Sequence, residues 1–160
     1  MFTFAGDSKK KGLKKVCSLH GTMEKIRKAG ALIILEKRLL IVKPLNKPFF
    51  INPGGKYEIN PLTKVIETAE ECLGRELKEE LQIKLTSCKP YNTYEIAQAA
   101  HSNNSLSLEL YFVAYSGELV VSREVESLEW MSREDFENKR FNFAPSFEVY
   151  IPDLIKEGLL

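Results

Sequence analysis

The chain has 160 residues, 44% of them apolar, with 23 Lys and Arg against 22 Asp and Glu for a formal charge of +1. That length and composition describe one domain with a core of its own, excluding an intrinsically disordered chain and a small scaffold dependent on disulfide or metal staples. The near-neutral total conceals an asymmetry: residues 1–28 hold eight basic groups and only two acidic ones, leaving the rest of the chain at −5.

No early apolar stretch of about 7–15 residues suggests a secretory signal, and no window reaches the roughly 18–20 apolar residues of a membrane span. A cytoplasmic protein with no membrane association is predicted. Cys17, Cys72 and Cys88 show no C-x-x-C spacing and read as reduced thiols.

Residues 1–28 read as a basic extension of solvated chain with a short helix near residues 22–27, and residues 29–160 as the folded domain. Residues 31–35 and 39–42, divided by polar Glu36, Lys37 and Arg38, form a hairpin that ends at Pro44 and Pro48. Residues 49–61 are loop, carrying Asn52, Pro53, Gly54, Gly55, Asn60 and Pro61, and adjacent glycines let backbone approach a ligand closely. Residues 68–82 form the strongest helix, with a T-x-x-E capping box at Thr68 and Glu71 and with Leu73, Leu77 and Leu81 recurring every fourth position. Leu106, Leu108, Leu110, Phe112 and Ala114 alternate strictly with their neighbours, predicting a strand with one buried face and antiparallel partners at residues 91–98 and 118–121. Ser132 and Asp135 cap a short helix, and residues 147–156 form a terminal helix interrupted near Pro152. The interleaving predicts an α/β (α+β) fold with helices packed on a mixed sheet.

The helix segment holds Glu67, Glu70, Glu71, Glu76, Glu79 and Glu80. At about 100° per residue, with Glu76 at zero, Glu79 falls near −60° and Glu80 near +40°, while Leu73, Leu77 and Leu81 fall at about +60°, +100° and +140°. The acidic arc therefore abuts the stripe that packs on the sheet. Like charges at these spacings cost a few tenths of a kcal/mol each. Composition alone supports two readings, a solvated acidic face or carboxylates gathered around a hard divalent cation such as Mg²⁺.

Read together, Gly54-Gly55-Lys56-x-Glu58, then Glu67-Thr68, then Arg75-Glu76-Leu77-x-Glu79-Glu80 with Ile83 closing, resemble the signature of the Nudix hydrolase superfamily, MutT-type. The seven-residue spacing from Glu67 to Arg75 and the Arg-Glu-Leu-Lys-Glu-Glu core are intact. Eleven residues rather than five separate Gly55 from Glu67, an insertion around residues 59–64, and Gln82 replaces the final glycine. The insertion leaves the helix register untouched but can displace the Gly54 carbonyl, and Gln82 alters the helix exit.

The resemblance implies an α/β/α sandwich with a mixed sheet between helices, and Mg²⁺-dependent hydrolysis of a nucleoside diphosphate linked to another group, with Mn²⁺ as a substitute. It implies Glu76 and Glu80 as metal ligands, Glu79 as a further ligand or a base acting through water, and the Gly54 carbonyl as a metal contact. Arg75 would orient a carboxylate, Glu67 would hold the loop, Gly55 and Lys56 would meet the substrate phosphates, and Glu124, ahead of Glu129-Trp130, would be a further acid. Such chemistry needs metal to neutralise charge on crowded phosphate oxygens and a carboxylate to take a proton.

The partner implied is a small nucleotide, a (d)NTP or a relative; the oligomeric state stays open, with a homodimer as one form it can take. The basic extension motivates an RNA 5′ end as an alternative, and a non-catalytic nucleotide-sensing module is a third reading. Where MutT-type enzymes read a purine with asparagine this chain has Phe147, with Asn142 nearby, which argues against oxidised-guanine specificity. Phe49, Phe50, Tyr91, Tyr94, Phe141 and Phe143 read as core with base stacking as the alternative; Trp130 reads as core or pocket wall, and His20 and His101 as surface.

Overall fold

The computed structural model describes residues 25–97 and 104–160. Most of the basic segment, with Cys17 and His20, and also His101, lies outside the described residues.

The first strand, β1 (Lys25–Leu32), runs further toward the N-terminus than its apolar core suggests. Lys25 to Arg27 are extended, not helical, because each pairs in register with the strand Ser105–Ser116. A two-residue β2 (Ile34–Leu35) and β3 (Arg38–Pro44) make the expected hairpin. Its turn holds Glu36 and Lys37 at φ of 49° and 56°, the double left-handed geometry that matches strand twist. Then come β4 (Gly54–Lys56), α1 (Ala69–Leu81), β5 (Lys84–Ala97), β6 (Ser105–Ser116), β7 (Val125–Ser132), α2 (Arg133–Glu137) and α3 (Phe147–Lys156).

Two sheets result. One has the order β4-β1-β6-β5, with β1 parallel to β6 and its other pairings antiparallel; the second is antiparallel, β2-β3-β7. On one side α1 lays Leu73, Leu77 and Leu81 onto Ala29, Ala31, Leu40 and Val42. On the other, Phe147, Tyr150, Ile151 and Leu154 of α3 pack with Leu32, Leu106, Leu108 and Leu110. This is the mixed sheet system between helices that the sequence predicts. Among the described residues no helix is long and apolar enough to cross a membrane.

Three further expectations need correction. Residues 118–121 are no strand beside β6, whose second neighbour is β1. Instead, the Val120 and Ser122 amides donate to the Leu81 and Glu80 carbonyls (3.0 and 2.9 Å), satisfying orphan acceptors at the end of α1. Helix α3 continues through Pro152. Pro152 is exposed, so the carbonyl that loses its donor faces water and the helix tolerates the ring. The alternation in β6 buries Leu106, Leu108 and Leu110, but Ala114 is exposed and Val113 is buried on the α1 side, because helices cover both faces.

Both ends of α1 follow local chemistry. Thr68 Oγ1 accepts from the Glu71 amide (3.2 Å) and Glu71 Oε2 accepts from the Thr68 amide (2.8 Å), completing the capping box. At the exit, Gln82 takes φ 57°, the left-handed conformation usually given to glycine. Gln82→Gly is expected to raise stability by about 0.5–1 kcal/mol, the left-handed penalty less the greater unfolded-state entropy of glycine. Urea unfolding of the two proteins checks this.

Candidate active site

The site forms where β4, the loop after it and α1 converge. Gly54 has φ +136°, and a Cβ there would collide with the Ala29 carbonyl of the paired strand. At Gly55 a Cβ would occupy the space of the Glu76 carboxylate. The Gly-Gly pair is thus required by two close approaches, one to β1 and one to α1.

Arg75 joins loop to helix. Its Nε and Nη2 donate to the two oxygens of Glu67 (2.7 and 2.9 Å), Nη1 donates to Glu76 Oε1 (2.8 Å), and Nη2 also reaches the Lys56 carbonyl (3.1 Å). Glu79 and Glu58 lie 3.5 and 3.7 Å from Nη1. The Cys72 thiol, buried under the loop, adds weak contacts to the carbonyls of Gly55 and Lys56 (3.6 and 3.5 Å).

The insertion folds onto itself. The Glu58 amide donates to Glu67 Oε2 (2.8 Å), the Glu67 amide donates to the Glu58 carbonyl (2.9 Å), and Ile59 bridges Ile66 as in a small hairpin. Because its two ends meet at Glu58 and Glu67, the extra residues project outward and leave Gly54 against the helix. There the Gly54 amide donates to Glu80 Oε2 at 3.1 Å, so this glycine meets the carboxylate through N–H.

Exposure of the three acids follows the helical wheel. Glu80, nearest the leucine stripe, is buried; Glu76 is 15% exposed at its side chain and Glu79 47%. Burial pushes the Glu80 carboxyl up from 4.5 to about 8, with Glu76, Glu124 and Glu79 adding to the rise and the Gly54 amide opposing it. Glu76 is raised as well, burial outweighing its contact with Arg75. Glu67 moves the other way, to about 2, because its hydrogen bonds to Arg75 stabilise the anion. Glu124, exposed on the segment before β7, lies near enough to Glu76 and Glu80 to raise both.

The structure therefore brings together Gly54, Gly55, Glu67, Arg75, Glu76, Glu79, Glu80 and Glu124. Lys56 is exposed beside them. Phe147 is fully buried, ring against ring with Phe143 and Tyr150 (5.2 and 5.4 Å), and Asn142 donates to the Pro48 carbonyl (2.6 Å). Phe141 meets Phe50 at a tilt and Phe143 edge-on, Tyr91 meets Phe112 edge-on, and Trp130 packs partly buried on the α1 side. Sequence reasoning missed a brace on β4: Tyr57 donates to Glu109 Oε2 (2.6 Å), and Arg27 grips Oε1 of the same carboxylate (2.7 and 2.9 Å). The separation of 82 positions between Arg27 and Glu109 leaves no local pattern to betray this contact.

The donor set fits a hard divalent cation. It is all oxygen, and one buried carboxylate is held by a single backbone amide among like charges, an arrangement a cation would relieve. Among the described residues no three acid, histidine or thiol groups already stand in metal-holding arrangement, since Glu76 turns to Arg75 and Glu80 to Gly54.

The sequence profile of the NUDIX domain matches residues 24–154. Among solved structures, the chain is 27% identical to a MutT NUDIX hydrolase from Burkholderia pseudomallei, over 68% of this chain and 84% of that one, at TM-score 0.57. It is 25% identical to the E. coli ORF135 protein, over 78% and 84% of the two chains, at TM-score 0.58. A MutT protein from Methanosarcina mazei Go1 shares its fold at TM-score 0.68 with 19% identity, over 86% and 97%. No curated protein matches.

With Glu80 raised to about 8 in the fold and near 4.5 when unfolded, the metal-free native state holds the extra proton between those values, so its stability falls as pH rises from about 4.5 to 8. Thermal melts in EDTA should show that decline, Glu80→Gln should flatten it, and Mg²⁺ at pH 8 should restore stability. A melting temperature indifferent to Mg²⁺ contradicts the fit.

Proposed function

Because the chain belongs to the Nudix hydrolase family, whose members hydrolyse nucleoside diphosphate derivatives, we propose that it is a Mg²⁺-dependent diphosphatase acting on a small nucleotide such as a nucleoside triphosphate. The observation that carries this reading is Glu80, a buried carboxylate beside Glu76, Glu79 and Glu124 that, among the described residues, has only the Gly54 amide to hold it.

Glu76 and Glu80 would hold the metal, with the Gly54 carbonyl as a further ligand. Bound there, Mg²⁺ or Mn²⁺ supplies neutralising charge to the diphosphate oxygens and acidifies a water. Arg75 keeps Glu76 turned toward the loop, and Glu67 keeps Arg75 in place. The Gly55 backbone would meet the diphosphate beside the carboxylates, and Lys56, one step along β4, would meet the phosphates from the other side of the ribbon. Water attacks one phosphorus, the bridging P–O bond breaks toward the other phosphate, and a carboxylate takes the proton of the attacking water. Glu79 is the better placed acceptor, since its side chain is 47% exposed while Glu80 is buried. Glu124 lies close enough to assist.

A nucleotide panel with Mg²⁺, read by release of phosphate or pyrophosphate, tests the reading. Glu80→Gln should lower kcat at least about 100-fold, the scale of losing a charge-stabilising group, with a circular dichroism spectrum like that of the parent. Activity retained in that variant, or no turnover across the panel, refutes the proposal. A 5′-triphosphorylated RNA belongs in the panel because residues 1–28 carry +6. Turnover of that RNA alone would favour the RNA-end reading.

A further inference from the structure

Lys28 occupies an odd place for a lysine. It lies within β1, half-buried, and its register partner on β4 is Lys56. Directly paired residues of antiparallel strands project to the same face with Cβ atoms about 5 Å apart, and like charges so placed repel. Lys47, on the exposed loop after β3, adds a third ammonium: burial lowers the Lys28 pKa first, and the fields of Lys56 and Lys47 lower it further. Among the described residues, none of the three forms an ion pair within 4.0 Å, whereas the neighbouring Lys25, Arg27 and Lys43 all do. Three cations without an ion pair meet here, and for the half-buried Lys28 the fields of Glu76 and Glu80 offset burial and like-charge repulsion only in part.

Their position relative to the acids is informative. Gly55 and its partner Ala29 face α1 and Glu76, so Lys28 and Lys56, one step along, face the other side of the β1–β4 ribbon. Strand β4 is a three-residue edge strand, so the ribbon is narrow there and Lys28 still feels Glu76 and Glu80. A ligand gripped at the carboxylates can bend around this edge and present a second anionic group to the lysines.

The geometry points to a polyphosphate subsite formed by Lys28, Lys47 and Lys56, which selects substrates that carry a free terminal phosphate over diphosphates capped by a neutral sugar. The subsite rests on the diphosphatase reading for its substrate and narrows that reading to a class. A terminal phosphate carries roughly −1.5 to −2 at neutral pH and offers three acceptor oxygens, and ammonium-to-phosphate hydrogen bonds are about twice as strong as neutral ones. A sugar cap supplies neither.

Steady-state hydrolysis of a nucleoside triphosphate and a nucleoside diphosphate sugar, by the parent chain and by Lys28→Gln, Lys28→Arg and Lys47→Gln, tests the subsite. In Lys28→Gln the preference for the triphosphate, as a ratio of kcat/KM, is expected to fall by about tenfold, as for one charged hydrogen bond lost. The fall should reside in KM, and Lys28→Arg should recover most of it. An unchanged ratio, or a loss shared by both substrates, overturns the proposal. Lys47→Gln, on an exposed loop, gives a smaller fall in the same direction and keeps the test open if Lys28→Gln does not fold. If neither nucleotide is turned over, the diphosphatase reading fails separately, and titration calorimetry with inorganic tripolyphosphate decides on the subsite. Binding weakened about tenfold by Lys28→Gln or Lys47→Gln supports it, and absent or unaltered binding overturns it.

Discussion

The Arg75 guanidinium connects the loop after β4 to helix α1 through five donor positions fixed in one plane. Two of its nitrogens grip Glu67 at the loop's end, a third faces Glu76 one residue along the helix, and the carbonyl of Lys56 at the end of β4 shares a donor. A lysine in its place could offer charge but not this planar set of directions. Without such a connector a helix segment bearing six glutamates would repel its own loop. With it, the Gly54 amide comes within reach of Glu80, and β4 remains paired to β1.

The same connector explains why the insertion leaves Gly54 against α1. Glu67 is held from one side by Arg75 and from the other by the Glu58 amide, so the chain between residues 58 and 67 is pinned at its base. Extra residues there add only a hairpin whose Leu62, Val65 and Ile59 point into solvent. Loop length costs little once the ends are fixed, because closure entropy grows only logarithmically.

Neutralisation stops short of completion. Glu67 is stabilised as an anion, while Glu80 is made reluctant to ionise by burial and by neighbouring acids. One guanidinium cannot serve all of them. Across the thin β1–β4 edge lies the opposite imbalance, lysines without ion pairs. Excess negative charge on one side of a narrow ribbon and excess positive charge on the other form the pattern on which the proposed polyphosphate subsite rests.

What was legible in the sequence was local. The capping box at Thr68 and Glu71, the leucine repeat and the angular order of Glu80, Glu76 and Glu79 depend on residues within one or two helical turns, and 3.6-residue geometry transmits them directly into burial. The Arg-Glu-Leu-Lys-Glu-Glu core belonged to that same local register. Other features were decided by contacts between distant segments. Lys25 to Arg27 became strand because β6 offered a parallel partner, residues 118–121 turned to cap α1 rather than extend a sheet, and Pro152 was absorbed because its face of α3 is wet. The brace from Arg27 through Glu109 to Tyr57 and the meeting of Lys28 with Lys56 likewise follow from strand order, which no short window encodes. The sequence by itself determined which groups α1 presents and in what order around its axis. Tertiary structure alone decided which charges found partners, because pairing depends on which strands and loops stand beside one another, and that is set by the packing of the whole core.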